Sequence, residues 1–329
     1  MSLRIIRAGL LDTIQDTGRN GYQQYGINPG GAMDLYSAQL ANALLGNSLD
    51  AAVIELHFPA AQVMFEKETI ICIAGADFSP TINNKPVPLH HPIAVSENSL
   101  LKFERLQSGA RAYLSVYGGL KMEKWINSYS THLKAACGGF QGRALARYDG
   151  IDFFSTMAIH KILGEKEFLV LPWKANETVE NSNEIECVIG NEWFWLSREM
   201  QEEFQGHWYQ ITHQSDRMGY RLAGMKLESM VHEQLVSSAV SSGTVQLLPS
   251  GQLIVLMADH QTTGGYPRIA HIISAHLPIL AQKKPNDVMR FSLTDLTRAE
   301  EKLEKQQKYL LEIQIACKFR MQNLLYADL

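Results

Sequence analysis

Cysteine is scarce: Cys72, Cys137, Cys187 and Cys317 are the only four in a chain of 329 residues. None forms a C-x-x-C pair, so the spacing signals neither a thiolate zinc site nor a disulfide framework. Lone thiols of this kind are expected as small core residues in a reducing, cytoplasmic compartment. An excess of positive charge is also missing. Lys and Arg total 30 against 34 Asp and Glu, a formal net charge of −4, which offers no basic face for nucleic acid. No stretch approaches the roughly 20 apolar residues that span a bilayer. The N-terminal "MSLRIIRAGLLDTIQD" has no long apolar core and no small-residue cleavage site, so neither a membrane span nor a signal peptide is expected. Metal motifs are equally thin. The 11 histidines include no H-E-x-x-H; His90 and His91 are adjacent and point to opposite faces of an extended segment. No metal site is expected.

What is present is apolar patterning of a β kind. The chain is 46% hydrophobic, enough for about two domains. "TIICIAGAD", "LLKFERL", "RAYLSVYGG", "EFLVLPW" and "QLIVLMAD" are β-branched or alternating and bounded by Gly, Pro, Asn or Asp, which predicts strands. Helical periodicity is confined to residues 35–45, with Asp34 as N-cap and Gly46 as stop, to residues 193–205, and to a tail over residues 294–324. The polar segment "KANETVENSNE", residues 174–184, predicts a domain junction.

Sequence on the two sides of that junction suggests duplication. Arg19-x-Gly21-Tyr22 leads to Gly26, and Arg217-x-Gly219-Tyr220 leads to Gly224. Each is followed by an apolar run ending in Ala-Asp, at Asp77 and Asp259, and then by a Pro-initiated segment ending in Phe, at Phe103 and Phe291. The ordered set argues for a repeated β unit, and two β units of short strands predict two small barrels. R-x-G-Y has two readings: it closes a barrel with the Arg on a buried Asp, or it presents a planar fork of donors to an anion.

Chemistry-bearing residues concentrate in the second half. "HQSDRMGYRLAG" holds Ser215, Asp216, Arg217 and Arg221; "ADHQTTGGYPRIA" holds Asp259, Gln261, Thr262, Thr263, Gly264, Gly265 and Tyr266. Asp259 is expected at a strand end, where loops carry function. The T-T-G-G run offers hydroxyls and backbone N–H groups suited to an anion, without the pattern of a phosphate-binding P-loop. Arg143, in the glycine-rich "CGGFQGRAL", either meets an anion or simply belongs to a loop.

These strings, with "QDTGRNGYQQYG", "GAMD" and "NALLGN", resemble the family of the 5-oxoprolinase C subunit, also called allophanate hydrolase subunit 2 or biotin-dependent carboxyltransferase-like. That family includes an antagonist of a sporulation-kinase inhibitor. The resemblance implies a mainly β chain of tandem cyclophilin-like β-barrels with a few helices: residues 1–178, residues 179–293, and a helical tail over residues 294–329. It implies a component of an ATP-dependent hydrolase that works with a B-subunit homologue (allophanate hydrolase subunit 1 family) and an A-subunit homologue to open 5-oxoproline to glutamate. ATP with Mg is the implied cofactor. Two alternatives stand beside it: carboxyl transfer from carboxybiotin to urea or another small amide, and a regulatory protein that binds a B-subunit-like partner. Under the enzyme readings Asp34, Arg217 and Asp259 are the candidate catalytic residues. Gln15, Asp16, Arg19, Ser215, Asp216, Arg221 and the run Gln261, Thr262, Thr263, Gly264, Gly265 and Tyr266 are candidates for binding substrate or an anion. The chain departs from the family at Asn127-Ser128-Tyr129-Ser130-Thr131, where relatives carry an arginine, and that puts one anion contact in doubt.

The tail carries Leu296, Leu303, Leu310, Cys317 and Leu324 at seven-residue spacing among charged residues. A capping box is available from Thr297 to Glu300. The positions three residues beyond these are Gln306, Ile313 and Arg320, a poor second half of a coiled-coil seam, so the stripe is expected to pack on the chain's own barrels or on a partner.

Overall fold

The computed structural model describes residues 1–155, 159–176, 182–231 and 233–326. The chain is mainly β, and its contacts divide it into two units. The first holds Met1–Gly18, Asp34–Val179 and Gln307–Leu329; the second holds Arg19–Met33 and Glu180–Gln306. The junction expected over residues 174–184 includes 177–181, which lie outside the described residues.

In the first unit a seven-stranded and a six-stranded sheet enclose one apolar core, with Leu3 and Phe65 contributed from one sheet and Ile54 and Leu114 from the other. The strand Thr69–Asp77 shows why its sequence reads as an almost unbroken apolar run. Ile71 and Ile73 enter the core between the sheets, whereas Ile70, Cys72 and Ala74 enter a second core on the opposite face. A strand buried on both faces has no polar alternation to show. The second core is covered by the helix Leu35–Leu44, which starts where expected: the Asp34 carboxylate accepts from Ser37 N at 2.9 Å.

The second unit contains a closed seven-stranded barrel. Its one parallel pair joins Glu184–Ile189 to Val288–Leu293, with Ile185 opposite Phe291; the remaining pairs are antiparallel. The helix expected over residues 193–205 begins later. Trp193–Trp195 is a 3-10 turn, and Arg198–Gly206 is the helix, capped by Ser197, whose hydroxyl accepts from Met200 N at 3.2 Å. That helix stacks Phe204 on Phe291 with ring centroids 4.4 Å apart.

The anchors of the internal repeat fare unequally: Asp77 ends the strand Thr69–Asp77 and Asp259 follows the strand Leu253–Leu256, and Phe103 and Phe291 both lie in strands, but the R-x-G-Y strings do not correspond. Both R-x-G-Y strings lie in the second unit. The first runs through a loop with a 3-10 turn at Gln23–Tyr25, while the second enters the strand Gly219–Ala223. "PIAV" is the strand Pro92–Val95, but "PILA" is the helix Leu277–Ala281. Proline suits the first helical turn as well as a strand start, so at the R-x-G-Y and P-I positions the shared letters carried no shared backbone.

The tail is a helix, Leu296–Tyr326. Asp295, rather than Thr297, caps it: its carboxylate accepts from Arg298 N at 2.9 Å, two residues ahead of the expected box. Within the first unit, Leu310, Cys317 and Met321 are buried in the same cluster as Leu40 and Leu44. Leu324, the next position of the stripe, is partly buried against the same cluster, and Met321 joins it because a straight helix drifts by about 20° per heptad. Removing Leu310 leaves a cavity, so Leu310→Ala should cost about 2–5 kcal/mol in urea unfolding. The half-exposed neighbour Leu311 should cost no more than about 0.5 kcal/mol when truncated. Equal losses at the two positions would contradict this packing.

Candidate functional site

The turn ahead of the strand Gly219–Ala223 is built by its own side chains. Asp216 accepts from Met218 N at 2.8 Å and from Gly219 N at 3.2 Å, and Ser215 accepts from Arg221 N at 3.0 Å. Ser215 and Asp216, read from sequence as possible binding groups, are therefore turn formers. The turn delivers Arg217 to Asp259. Nε donates at 2.8 Å to one carboxylate oxygen and Nη2 at 3.0 Å to the other, and Nη2 also donates to the Gly31 carbonyl at 2.6 Å. The backbones lock as well, with Asp259 N donating to Arg217 O at 2.8 Å. Asn28 donates to the Asp259 carbonyl at 3.1 Å.

The glycine-rich segment 28–31 is thus drawn against a buried ion pair. Arg19, fully buried, lies close by: a Cβ at Gly30 would stand 3.0 Å from its Nη1, and Gly30 has a φ of +63° that disfavours any side chain. Of the two sequence readings of R-x-G-Y, Arg217 comes nearest the first: a buried arginine on an aspartate that is 14% exposed.

After Asp259 the chain turns into the Q-T-T-G-G-Y run. His260 is buried, and its Nδ1 lies 2.6 Å from the Gln261 carbonyl; that oxygen can only accept, so Nδ1 carries the proton. Burial lowers the His260 pKa, which keeps the ring neutral. Thr263–Gly264 then pairs with Ser238–Ala239 in a two-stranded ladder. A second ion pair fastens this ladder. Arg268 donates Nε to Glu192 at 2.9 Å and Nη2 at 2.6 Å, while its Nη1 holds the Ser238 hydroxyl at 2.8 Å. Burial raises the Glu192 pKa, but hydrogen bonds and charge from Arg268 outweigh it and hold the carboxyl below its ordinary value.

Gln261, Thr263, Gly264, Gly265 and Tyr266 line an open cleft of about 1090 Å³ in the second unit, with Lys226 on its wall. Such a cleft has the size of a small-molecule site. Its described lining combines hydroxyls, backbone amides, the Lys226 ammonium and the Glu228 and Glu233 carboxylates around a run with almost no side-chain bulk.

The other sequence candidates lie in the first unit. Asp34 is fully buried as the helix cap, and its N–H donates to Tyr113 Oη at 2.8 Å, which in turn donates to Glu55 at 2.8 Å. Gln15 is buried and donates to the Thr13 hydroxyl at 2.9 Å. Asp16 accepts from Gly18 N, the Ser128 hydroxyl, the Ser130 hydroxyl and Tyr129 N. It anchors the divergent 127–131 loop. Arg143 is held by both Asp149 oxygens, at 2.6 and 2.9 Å.

Sequence reasoning missed Glu192, Lys226 and Gln246. Glu192 had no readable signal, because its partner Arg268 is distant in sequence. Gln246 had a weak one: a polar residue inside the strand Thr244–Leu247 that is as buried as its apolar neighbours. Among the described residues, no group of three or more His, Cys, Asp or Glu is placed to hold a metal ion, and no helix is long and apolar enough to cross a membrane.

The fold is that of a urea amidolyase domain: the chain superposes on the K. lactis urea amidolyase with a TM-score of 0.85 at 24% identity, covering 95% of this chain and 20% of that one. Residues 25–293 match the family described as carboxyltransferase domain, subdomain A and B, and the chain belongs to that family. It is 35% identical over 312 residues to the C subunit of 5-oxoprolinase from Escherichia coli, covering 94% of this chain and 97% of that protein. It is 30% identical over 301 residues to urea amidolyase of Saccharomyces cerevisiae, covering 88% of this chain and 16% of that protein.

Breaking a buried ion pair from one side strands a charge, so Arg217→Ala and Asp259→Ala should each lower stability by about 3–5 kcal/mol. The double variant should fall well short of their sum in a denaturation cycle; additive losses would contradict the pairing. The pH sign for Glu192 follows from its lowered pKa. Its contribution is present above the unfolded-state value and is lost as pH falls through the folded one. Acidification below about pH 4 should lower the Tm of the wild type more than that of Glu192→Gln; parallel curves would show that this carboxyl is not depressed.

Proposed function

We propose that this chain is the C subunit of a cytoplasmic, ATP-dependent 5-oxoprolinase that works with B-subunit and A-subunit homologues to cleave 5-oxoproline to L-glutamate. The observation that carries the reading is the cleft lined by Gln261, Thr263, Gly264, Gly265 and Tyr266. The near-complete overlap with a protein named for that activity supports it. Opening an unstrained lactam requires its carbonyl oxygen to take up negative charge or a phosphoryl group. Donors fixed in advance around that oxygen stabilise the change without reorganising. The Gly264–Gly265 backbone, the Thr263 hydroxyl and Lys226 would supply such donors.

ATP would activate the carbonyl oxygen for attack. Lys226 and the T-T-G-G amides suit its phosphates, and Glu228 and Glu233, which also line the cleft, suit a Mg²⁺, an ion commonly held by one or two carboxylates together with phosphates. Arg217 and Asp259 act in this reading by positioning the segment that leads into the cleft; Arg19 and Arg221 do not line it.

A second reading has one observation in its favour, the sequence likeness to a urea amidolyase within a carboxyltransferase family. In it the same cleft would receive urea or another small amide, and carboxybiotin would bring the carboxyl group.

The test is reconstitution. The purified chain alone should not consume 5-oxoproline; with its B and A partners, ATP and Mg²⁺, glutamate and phosphate should appear. Thr263→Val should then lower kcat/KM about tenfold with an unchanged Tm. Failure of the complete assembly to form glutamate would end the first reading. Urea-dependent consumption of carboxybiotin by the same chain would establish the second.

A further inference from the structure

Behind the glycine wall of the cleft lies a polar group with nothing to bind. Gln246 is 1% exposed, and its Nε2 is buried without a hydrogen-bond partner among the described residues. It stands directly behind the glycine run. A Cβ built on Gly264 would lie 2.6 Å from Gln246 Nε2, and Gly264 lines the cleft, as does the next residue along the strand, Leu247. Only the width of a glycine separates this donor from the cavity.

A buried amide donor left unpaired is costly, and such groups in native structures call for an explanation. Apolar packing alone would be served better here by Leu or Met. The surroundings make the position deliberate. Glu192 fixes Arg268, Arg268 fixes the Ser238 hydroxyl, and Ser238 is the ladder partner of Gly264. The thin wall over Gln246 is therefore a built element, yet its two-pair ladder, Ser238 with Gly264 and Ala239 with Thr263, is short enough to shift locally.

We propose that Gln246 is a specificity-determining residue of the cleft, its Nε2 donating to the carbonyl oxygen of a small amide or lactam seated against Gly264. An NH₂ group demands an acceptor, which selects carbonyl compounds and rejects cations. With no side chain at Gly264, a local shift of the short ladder is enough to bring the oxygen to this otherwise enclosed donor. Placing the ligand there brings its carbonyl beside the Gly264–Gly265 amides and the Thr263 hydroxyl. The inference rests on the small-amide reading of the cleft given above and adds the residue that recognises the amide.

The experiment measures binding of three probes, 5-oxoproline, urea and L-proline, to the full chain in complex with its partner subunits, for wild type, Gln246→Met and Gly264→Ala. Tm is recorded for each. Gln246→Met should weaken 5-oxoproline about tenfold while its Tm stays equal to or above that of the wild type, because an unpaired amide has been removed. Gly264→Ala, which sets a methyl between ligand and donor, should weaken the same probe. L-proline lacks the lactam carbonyl, so any binding it shows should not depend on residue 246. Wild-type affinity for 5-oxoproline in a folded Gln246→Met complex would overturn the inference and leave the functional reading intact. A lowered Tm with unchanged affinity would also overturn it, by assigning Gln246 a purely structural bond. If the wild type binds urea and not 5-oxoproline, the oxoprolinase reading fails, and Gln246 stands or falls on whether Gln246→Met weakens urea. Binding of neither carbonyl probe by the wild type would remove both.

Discussion

The candidate site depends on a guanidinium that cannot be left alone. Arg268 is four-fifths buried, and its fork is matched atom for atom by the Glu192 carboxylate and the Ser238 hydroxyl. A pair of this kind adds little net stability over apolar packing, because both charges have lost their water. What it supplies is direction. With Glu192 in place, Arg268 has one orientation, the Ser238 strand has one position, and the glycine run that pairs with it forms a wall with no side chains. Removing any member would leave the fold largely intact and the wall undefined.

The second ion pair works on the same principle at another scale. Arg217 and Asp259 join a turn, the end of a barrel strand and the carbonyl of Gly31. A loop rich in glycine loses much entropy when ordered, and three fixed acceptors and donors are the means by which it is ordered.

The fold was legible wherever a pattern is local. The helix Leu35–Leu44 announced itself through Asp34, and the β content through alternating runs. The tail helix was visible in its leucine spacing, although its cap was not: Asp295 and Thr297 are both good caps, and the backbone chose between them. The repeat was misread because R-x-G-Y and P-I-x-x fit several backbones, and only long-range pairing decides which one forms. The site was half legible. Q-T-T-G-G-Y marked the cleft, since glycine next to hydroxyls has few other uses. Asp16, Ser215 and Asp216 looked like ligand groups because a carboxylate that accepts backbone N–H groups is indistinguishable in sequence from one that waits for a substrate. Glu192 could not be found, its significance residing in a partner 76 residues away, and Gln246 offered only a weak sign, its significance residing in a missing partner.

The scarcity of cysteine has a consequence once the thiols are placed. Cys72 and Cys317 lie in the core that joins the tail helix to the first unit, and Cys187 lies in the barrel of the second. Burial pushes Cys317 up to about 11 and Cys187 up to about 12, and drives Cys72 in the same direction. Thiolate is the reactive form, so each is silent toward an alkylating reagent until its own neighbourhood opens. Half-buried Cys137 alone is positioned to react early. The chain therefore carries intrinsic clocks: the rate at which Cys317 becomes labelled reads the undocking of the tail helix, the rate at Cys187 reads breathing of the barrel, and the two can be timed separately in one unmodified molecule.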